Sequence, residues 1–534
     1  MKGKLVIILV ISLISACFIG CVEQKTQETP KTEVKEKTLK IGTTMTIKTD
    51  NIFSDYYFSI LAKDLTHRGL IAMDSNGGFI PDLAYKWETK DGKTWTFYLV
   101  KNATWHDGKP VTAEDIKFTI EYLTEKVPIY KRHWSMIEKV SCPDEHTVVI
   151  ELEEPTATLL VDLLVMRTLP KHIWEKVEDP LKYDGDDKNI GCGQFMFERF
   201  DPAAGTIVYR ANPDYFGKKA NLDKIVVKIY KNTDTMVMAL RKGEVDTIYF
   251  YARGLDFIYV PQLLQEGNIK FIFAPNLGVG CVLWFNNHVY PYNITEFRHA
   301  IGYAINYEKI VEMITAGYGK VPNAGFVPEG WKYFKETKKM EYDQSKAGEI
   351  LDGLKFIDVD GDGIRETPDG KDLEIEIIVR SDIAQNLRLA ELIKGDLENV
   401  GLKVKLKPVD LNTFRAIVRE KSHEVLISRT TAWGMMMWGG YGSGYIDARN
   451  IGWANVTDPE FYKIVDKLLI STDENEVKKF AYKIQDYYAE KLPVIPLYWD
   501  VHIQPYNEKI QGFVFNPIYG ILNDESLHNV KIAS

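Results

Sequence analysis

Hydrophobic positions recur along this chain with two periods. Trp95, Phe97 and Leu99 alternate with Thr94, Thr96 and Tyr98, the period of a half-buried strand. Ile225, Val227 and Ile229 alternate likewise, as do Ile375, Ile377 and Val379. Leu402, Val404 and Leu406 alternate with Lys403, Lys405 and Lys407, which predicts a strand with one charged face. Just before it, Ile383, Leu387, Ala390, Ile393 and Leu397 have helical spacing, and Gly401 ends that helix. A helix of about 18 residues leading into a strand predicts an α/β lobe.

The densest local signals lie between Gly78 and Leu123. Pro81-Asp82-Leu83-Ala84 opens a buried segment that Trp87 anchors. Asp91-Gly92 is a tight turn, because glycine takes positive φ without steric cost. Asp107-Gly108-Lys109-Pro110 is a second turn. Thr112 and Asp115 have the spacing of a capping box, and Ile116, Ile120 and Leu123 form the apolar stripe of the helix that follows.

The N-terminus reads as a leader. Lys2 and Lys4 precede an apolar stretch, Leu5 to Ile19, short for a membrane span and suited to a signal-peptide core. Two cysteines close it, and small residues precede each. Residues 1–21 are assigned as a lipoprotein signal peptide, with Cys21 as the lipidated residue and Cys17 as the alternative. Residues 22–37 are rich in Lys, Glu, Gln and Thr and read as a flexible tether. Both assignments place the rest of the chain outside the membrane, held by a lipid anchor.

Composition narrows the function. The formal charge of −9 argues against a nucleic-acid partner. The 11 Trp and 29 Tyr suit both a large core and a ligand cleft lined by rings. Past the leader stand Cys142, Cys192 and Cys281, whose spacing matches no zinc or redox motif. Their odd number leaves at least one free or paired with another molecule; a Cys192–Cys281 bridge is one arrangement.

Several strings invite an enzyme reading and fail it. Gly191-Cys192-Gly193 lacks a third glycine, because Met196 stands in its place. Gly442-Ser443-Gly444 lacks the full nucleophile elbow, and there is no His-Glu-x-x-His. His106 sits in a turn, where it satisfies local backbone, and Met435-Met436-Met437 reads as packing or cleft lining. Catalysis is therefore not expected. One oxygen-rich string is sharper. Asp358, Asp360, Asp362, Ile364, Glu366 and Asp369 hold positions 1, 3, 5, 7, 9 and 12 of a twelve-residue loop that turns at Gly363. That pattern suits a structural Ca²⁺, although Asp369 stands where such loops usually have Glu. No other cofactor is implied.

The ordered string from Gly78 to Leu123 resembles the signature of the peptide/nickel family of extracytoplasmic solute-binding proteins, family 5, which serve ABC importers. Further segments extend the resemblance along nearly the whole chain. Gly191-Cys192-Gly193-Gln194-Phe195 with Asn212-Pro213-Asp214-Tyr215-Phe216 resembles the family's "GTGPY … NPDYW". Residues 240–246 (LRKGEVD) resemble "ALQSGEVD", residues 297–305 resemble "VRQALNYAI", and Pro496-Leu497-Tyr498 matches a closing "PLY" strand.

The resemblance implies an α/β fold of two lobes hinged around a cleft, with an added inserted domain. Lobe I would comprise residues 38–75, 185–275 and 500–534, the inserted domain 76–184, and lobe II 276–499. It implies a monomer on the outer face of the cytoplasmic membrane, working with ABC permease and ATPase subunits. Nickel-type members carry strings similar to Lys131-Arg132-His133-Trp134, to the region of Arg167, and to Arg429-Thr430-Thr431-Ala432-Trp433-Gly434. Those strings, with Tyr445 nearby, imply a ligand site in which arginines grip carboxylates and tryptophans wall a nickel or other metal chelate. Short peptides are the alternative ligand. Peptide-binding members place an aspartate for the ligand's amine where this chain has Gly444, and no histidine stands between residues 446 and 470 to ligate a metal directly.

Overall fold

The hinge of the molecule is a pair of long antiparallel strands, Ile269–Phe285 and Val494–Asn507. This is a computed structural model, which describes residues 36–75, 78–156, 158–251, 253–437 and 440–533. Cys17, Cys21 and nearly all of the expected leader and tether lie outside the described residues.

The two long strands pair in two stretches. Ile269↔Asn507 runs in step to Pro275↔Val501, the register then slips, and pairing resumes at Val279↔Trp499. Asn276, Leu277 and Gly278 thus form a bulge, which increases local twist and re-aims side chains. Gly278 is needed there, because a Cβ would lie 2.6 Å from the carbonyl oxygen of Thr430.

Around this pair the chain builds one ten-stranded sheet. On one side lie Val425–Ser428, Glu374–Arg380 and Lys403–Val409, all three mutually parallel. On the other lie Thr247–Ile248, Thr38–Thr43, Lys224–Ile229, Thr206–Ala211 and Phe195–Asp201. Separate apolar cores flank each half. One gathers Leu39, Phe58, Trp105, Trp134 and Tyr209; another gathers Cys281, Phe297, Ile377 and Leu389. These are the two lobes.

The periodicities held. The expected strands appear as Thr94–Leu99, Lys224–Ile229, Glu374–Arg380 and Lys403–Val409. In the last, Leu402 and Val404 are buried and Leu406 is half-buried, while the three lysines face Asp372, Glu374 and Glu376 from the neighbouring chain segment. The helix before it is Ala384–Glu398, 15 residues, shorter than its stripe suggests because Ile383 is the cap rather than the first turn. Gly401 takes φ +82°, as the end of that helix requires. The helix Ala113–Lys126 opens on the expected box: the Thr112 amide donates to Asp115 Oδ2 at 2.9 Å. The other carboxylate oxygen of Asp115 accepts from the Lys171 amide, so one acid fixes both a helix start and a long-range contact.

A second, four-stranded antiparallel sheet orders Ala84–Thr89, Thr94–Leu99, Thr147–Leu152 and Ile137–Asp144. It lies within the stretch expected as an inserted domain. A buried ionic cluster ties that stretch to the chain's end. Arg68 Nε donates to Asp82 at 2.7 Å, and its two terminal nitrogens grip Asp524 bidentately. The Cys192–Cys281 bridge does not form; the two thiols belong to different cores, and burial raises both pKa values. Among the described residues no helix is long and apolar enough to cross a membrane.

Candidate ligand-binding site

Residues of both lobes approach one another where the long strands cross. From one lobe come Tyr56 and Tyr251, whose rings meet edge to face at 5.6 Å, with Arg253 and Asp256 beyond them. From the other come Arg429, Trp433 and Tyr445, which follow the strand Val425–Ser428. Trp433 lies half-buried with its ring 6.3 Å from that of Tyr519, a residue of the C-terminal tail.

Thr430 and Thr431 hold this wall. Thr430 Oγ1 accepts from the Val279 amide at 2.7 Å, fastening the segment to the bulged strand. Thr431 caps the short helix Ala432–Met436 by accepting from the Gly434 amide at 3.0 Å. Tyr445 packs beneath, buried between Trp284 and Trp453, and hydrogen-bonds Thr431. Burial pushes its phenol up to about 12, so it stays a neutral support.

The expected arginines part company. Arg429 is exposed although protein crowds it. That crowding, with the charge of Arg253, lowers its pKa, but a guanidinium remains charged at neutral pH. Arg167 is engaged inside the protein. It is buried, and its guanidinium donates to the carbonyls of Ser59 and Val165 and to the Tyr130 hydroxyl. It braces the core, with its donors already engaged. Arg132 is exposed and donates to Asn450 Oδ1 at 2.6 Å, across to the other lobe.

Trp134 is likewise engaged inside the protein. It is 1% exposed, donates its indole N–H to the Asp162 carbonyl and stacks against Tyr130. Its ring belongs to the same apolar core as Leu39, Phe58 and Tyr209. His106, expected to serve backbone, lies 3.1 Å from the Gly193 carbonyl oxygen and accepts from the Gly191 amide. Met435 and Met437 are buried as packing.

The acidic loop folds so that donor oxygens of Asp358, Asp360, Asp362 and Glu366 all lie within 4.8 Å of one another. All four acids also order the turn, Asp358 accepting from the Gly361 and Gly363 amides, Asp360 from Asp362, Asp362 from Ile364 and Glu366 from Val359. The donor set suits a hard cation. Asp369 does not join it; its carboxylate is taken by Lys371 at 2.7 Å and by the Thr367 hydroxyl. The helix Gln344–Gly353 precedes the loop, though the sequence offers no clear one.

Asp500 was missed. It lies on the hinge strand beside the bulge, partly open to solvent in a strand otherwise mostly buried. Burial lifts its carboxyl to about 6, against which Arg429 acts. The signal was available: an acid inside the apolar run VIPLYWDVHI of residues 494–503.

The sequence profile of the bacterial extracellular solute-binding proteins, family 5, matches residues 78–450. The chain belongs to this family. Family 5 proteins are solute receptors of ABC importers, not enzymes. Over 467 residues the chain is 26% identical to a probable D,D-dipeptide-binding periplasmic protein of Escherichia coli K12, covering 85% of this chain and 84% of the relative. It is 24% identical over 485 residues to the di/tripeptide-binding protein 3 of Pseudomonas aeruginosa, covering 83% and 86%. Its fold matches NikA from Brucella suis in complex with Fe(III)-EDTA at a TM-score of 0.82, with 20% identity over 93% of this chain and all of that one. It also matches a periplasmic oligopeptide-binding protein from Thermotoga maritima at 0.80, with 23% identity and the same coverage. The family 5 chain is therefore a two-lobed α/β binding protein.

Proposed function

We propose that this family 5 receptor captures short peptides in the cleft between its lobes and delivers them to an ABC permease. The observation that carries the reading is the fate of the arginines. A chelate gripped by several arginines needs them to converge, and Arg167 is spent on carbonyls inside the core. Of Arg167 and Arg429, only Arg429 faces solvent in the cleft. One guanidinium, walled by Trp433 and by Tyr56, suits a single carboxylate at the end of a flexible chain. Relatives named for peptide binding over most of both chains lend support.

The nickel or metal-chelate reading stands second. Arg429 beside Trp433 is a carboxylate grip next to a water-excluding ring, which an aminocarboxylate chelate also fits. The two readings separate by calorimetric titration of the full chain with alanine peptides of two to five residues, and separately with Ni²⁺ plus histidine. Peptide binding that Arg429→Ala weakens about tenfold or more supports the proposal. Binding that requires metal and histidine together overturns it.

The remaining assignments belong to the same reading. The protein is anchored through Cys21, or Cys17, on the outer face of the cytoplasmic membrane and works as a monomer. The smaller sheet is the core of an inserted domain spanning residues 76–184, with lobe I formed by 38–75, 185–275 and 500–534 and lobe II by 276–499. The loop at Asp358 holds a structural Ca²⁺ through Asp358, Asp360, Asp362 and Glu366.

A further inference from the structure

Tyr318 bridges two separate cores. It follows the helix Tyr307–Thr315, whose Tyr307, Ile310 and Ile314 belong to the core of Phe297 and Ile377. Its ring packs instead against the core of Ile248, Phe257, Leu263 and Ile503, in the other half of the sheet. Two rings stack on it there. Phe273 lies 5.5 Å away with 8° between the planes, and Phe257 lies 5.9 Å away at 21°. Phe271 stacks on Phe273 in turn, 5.6 Å away.

The segment that delivers the ring is fastened to the hinge. The Tyr318 amide donates to the Thr315 carbonyl at 3.0 Å, and Lys320 exchanges both backbone hydrogen bonds with Trp499, each 2.9 Å long. Gly319 permits this approach, because a Cβ there would lie 2.9 Å from the Trp499 carbonyl oxygen. Trp499 and Phe273 stand on opposite sides of the register slip between the long strands: Phe273↔Ile503 belongs to one paired stretch and Val279↔Trp499 to the other. The Tyr318–Phe273 stack therefore spans the place where the hinge pair loses register, and a bend at the bulge must slide or part the two rings. Filling a core does not account for the stack, since Phe273 stays 45% exposed.

We propose that Tyr318 is a hinge clasp, whose stacks on Phe257 and Phe273 hold the two lobes together before any ligand enters. Each aromatic pair is worth about two- to tenfold in such an equilibrium. A receptor biased in this way leaves its ligand less closure to drive, which tightens the binding of every ligand alike. The clasp is independent of which solute the cleft takes.

Hydrogen exchange read by mass spectrometry on the full chain, with no ligand added, tests the clasp. The segments to follow are those around Thr156 and Leu469, which meet across the lobes. Phe273→Leu should speed their exchange about two- to tenfold, and Tyr318→Leu, which removes both stacks, should speed it more. Tyr318→Phe keeps the ring and should match the wild type. The helix Ala384–Glu398, inside one lobe, should exchange alike in the wild type and all three variants. Any of three results overturns the proposal: wild-type exchange around Thr156 and Leu469 in both leucine variants, faster exchange in the helix Ala384–Glu398 as well, or Tyr318→Phe behaving like Tyr318→Leu. Phe273 is exposed, so its replacement reads the clasp even where Tyr318→Leu fails to fold.

Discussion

Arg132 and Asn450 are joined by a 2.6 Å hydrogen bond between residues 318 positions apart. The guanidinium stands on the helix Pro128–Trp134 of the smaller unit, and the amide follows the helix Ser443–Ile446 of the far lobe. Nearby, Thr156 Oγ1 donates to the Leu469 carbonyl, a second bond between the same two parts. These contacts tie the two parts together, and a receptor that opens here must break them.

Arg132→Ala should therefore weaken ligand binding without touching the ligand. The bond is exposed, so the loss is about 0.5–1.5 kcal/mol, a two- to tenfold rise in Kd shared by every ligand. The melting temperature should barely move. A change confined to one ligand class would instead place Arg132 in contact with ligand.

The cluster of Arg68, Asp82 and Asp524 is buried, and its three members come from distant parts of the chain. Asp524→Ala leaves Arg68 with half its partners and frees the C-terminal helix Asp524–Asn529. The expected cost is about 3–5 kcal/mol, read as a lower denaturation midpoint. Replacing all three by apolar residues of similar volume should cost much less, because no buried charge is then left alone.

Asp500 sets a pH dependence whose sign follows from its raised pKa of about 6. The folded state holds the proton more tightly than the unfolded chain, whose carboxyl titrates in the ordinary range near 4. The group's contribution is thus best at low pH and declines as pH rises from about 4 through about 6. Solvent reaches the group, so the effect is on the order of 1 kcal/mol. Thermal melts of Asp500→Asn and wild type should coincide near pH 4, and the variant should be the more stable at pH 7.5. Arg429 faces the same carboxylate and stays charged throughout this window.

The acidic loop predicts a calcium effect. Adding Ca²⁺ to chelator-treated protein should raise the melting temperature, and Asp360→Asn should abolish the rise. Asp369→Asn should leave it intact, since Lys371 holds that carboxylate away from the other donors. No shift with millimolar Ca²⁺ removes the metal from this loop.

Much of the fold was legible because it is local. Strand alternation, the Thr112–Asp115 box and the glycine at position 401 depend on neighbours a few residues away, and each appeared where expected. The site was legible only in part. Arg429, Trp433 and Tyr445 could be proposed together because one short stretch of the chain carries all three. Asp500 escaped because an acid within an apolar run carries no motif, and its meaning comes from the bulge opposite.

Sequence alone carried the family, through a motif resemblance that also implied the two-lobed α/β plan, while periodicity, caps and turns located the elements that build it. Only the tertiary structure decided which charges reach solvent in the cleft. Arg167 and Arg429 look alike as letters. Arg167 meets the Ser59 carbonyl 108 residues away and is used up, while Arg429 emerges beside the bulge of the hinge strand and stays exposed. The reason is physical: a buried guanidinium must satisfy its donors with whatever the fold brings near, and that is set by long-range packing rather than by the residues on either side.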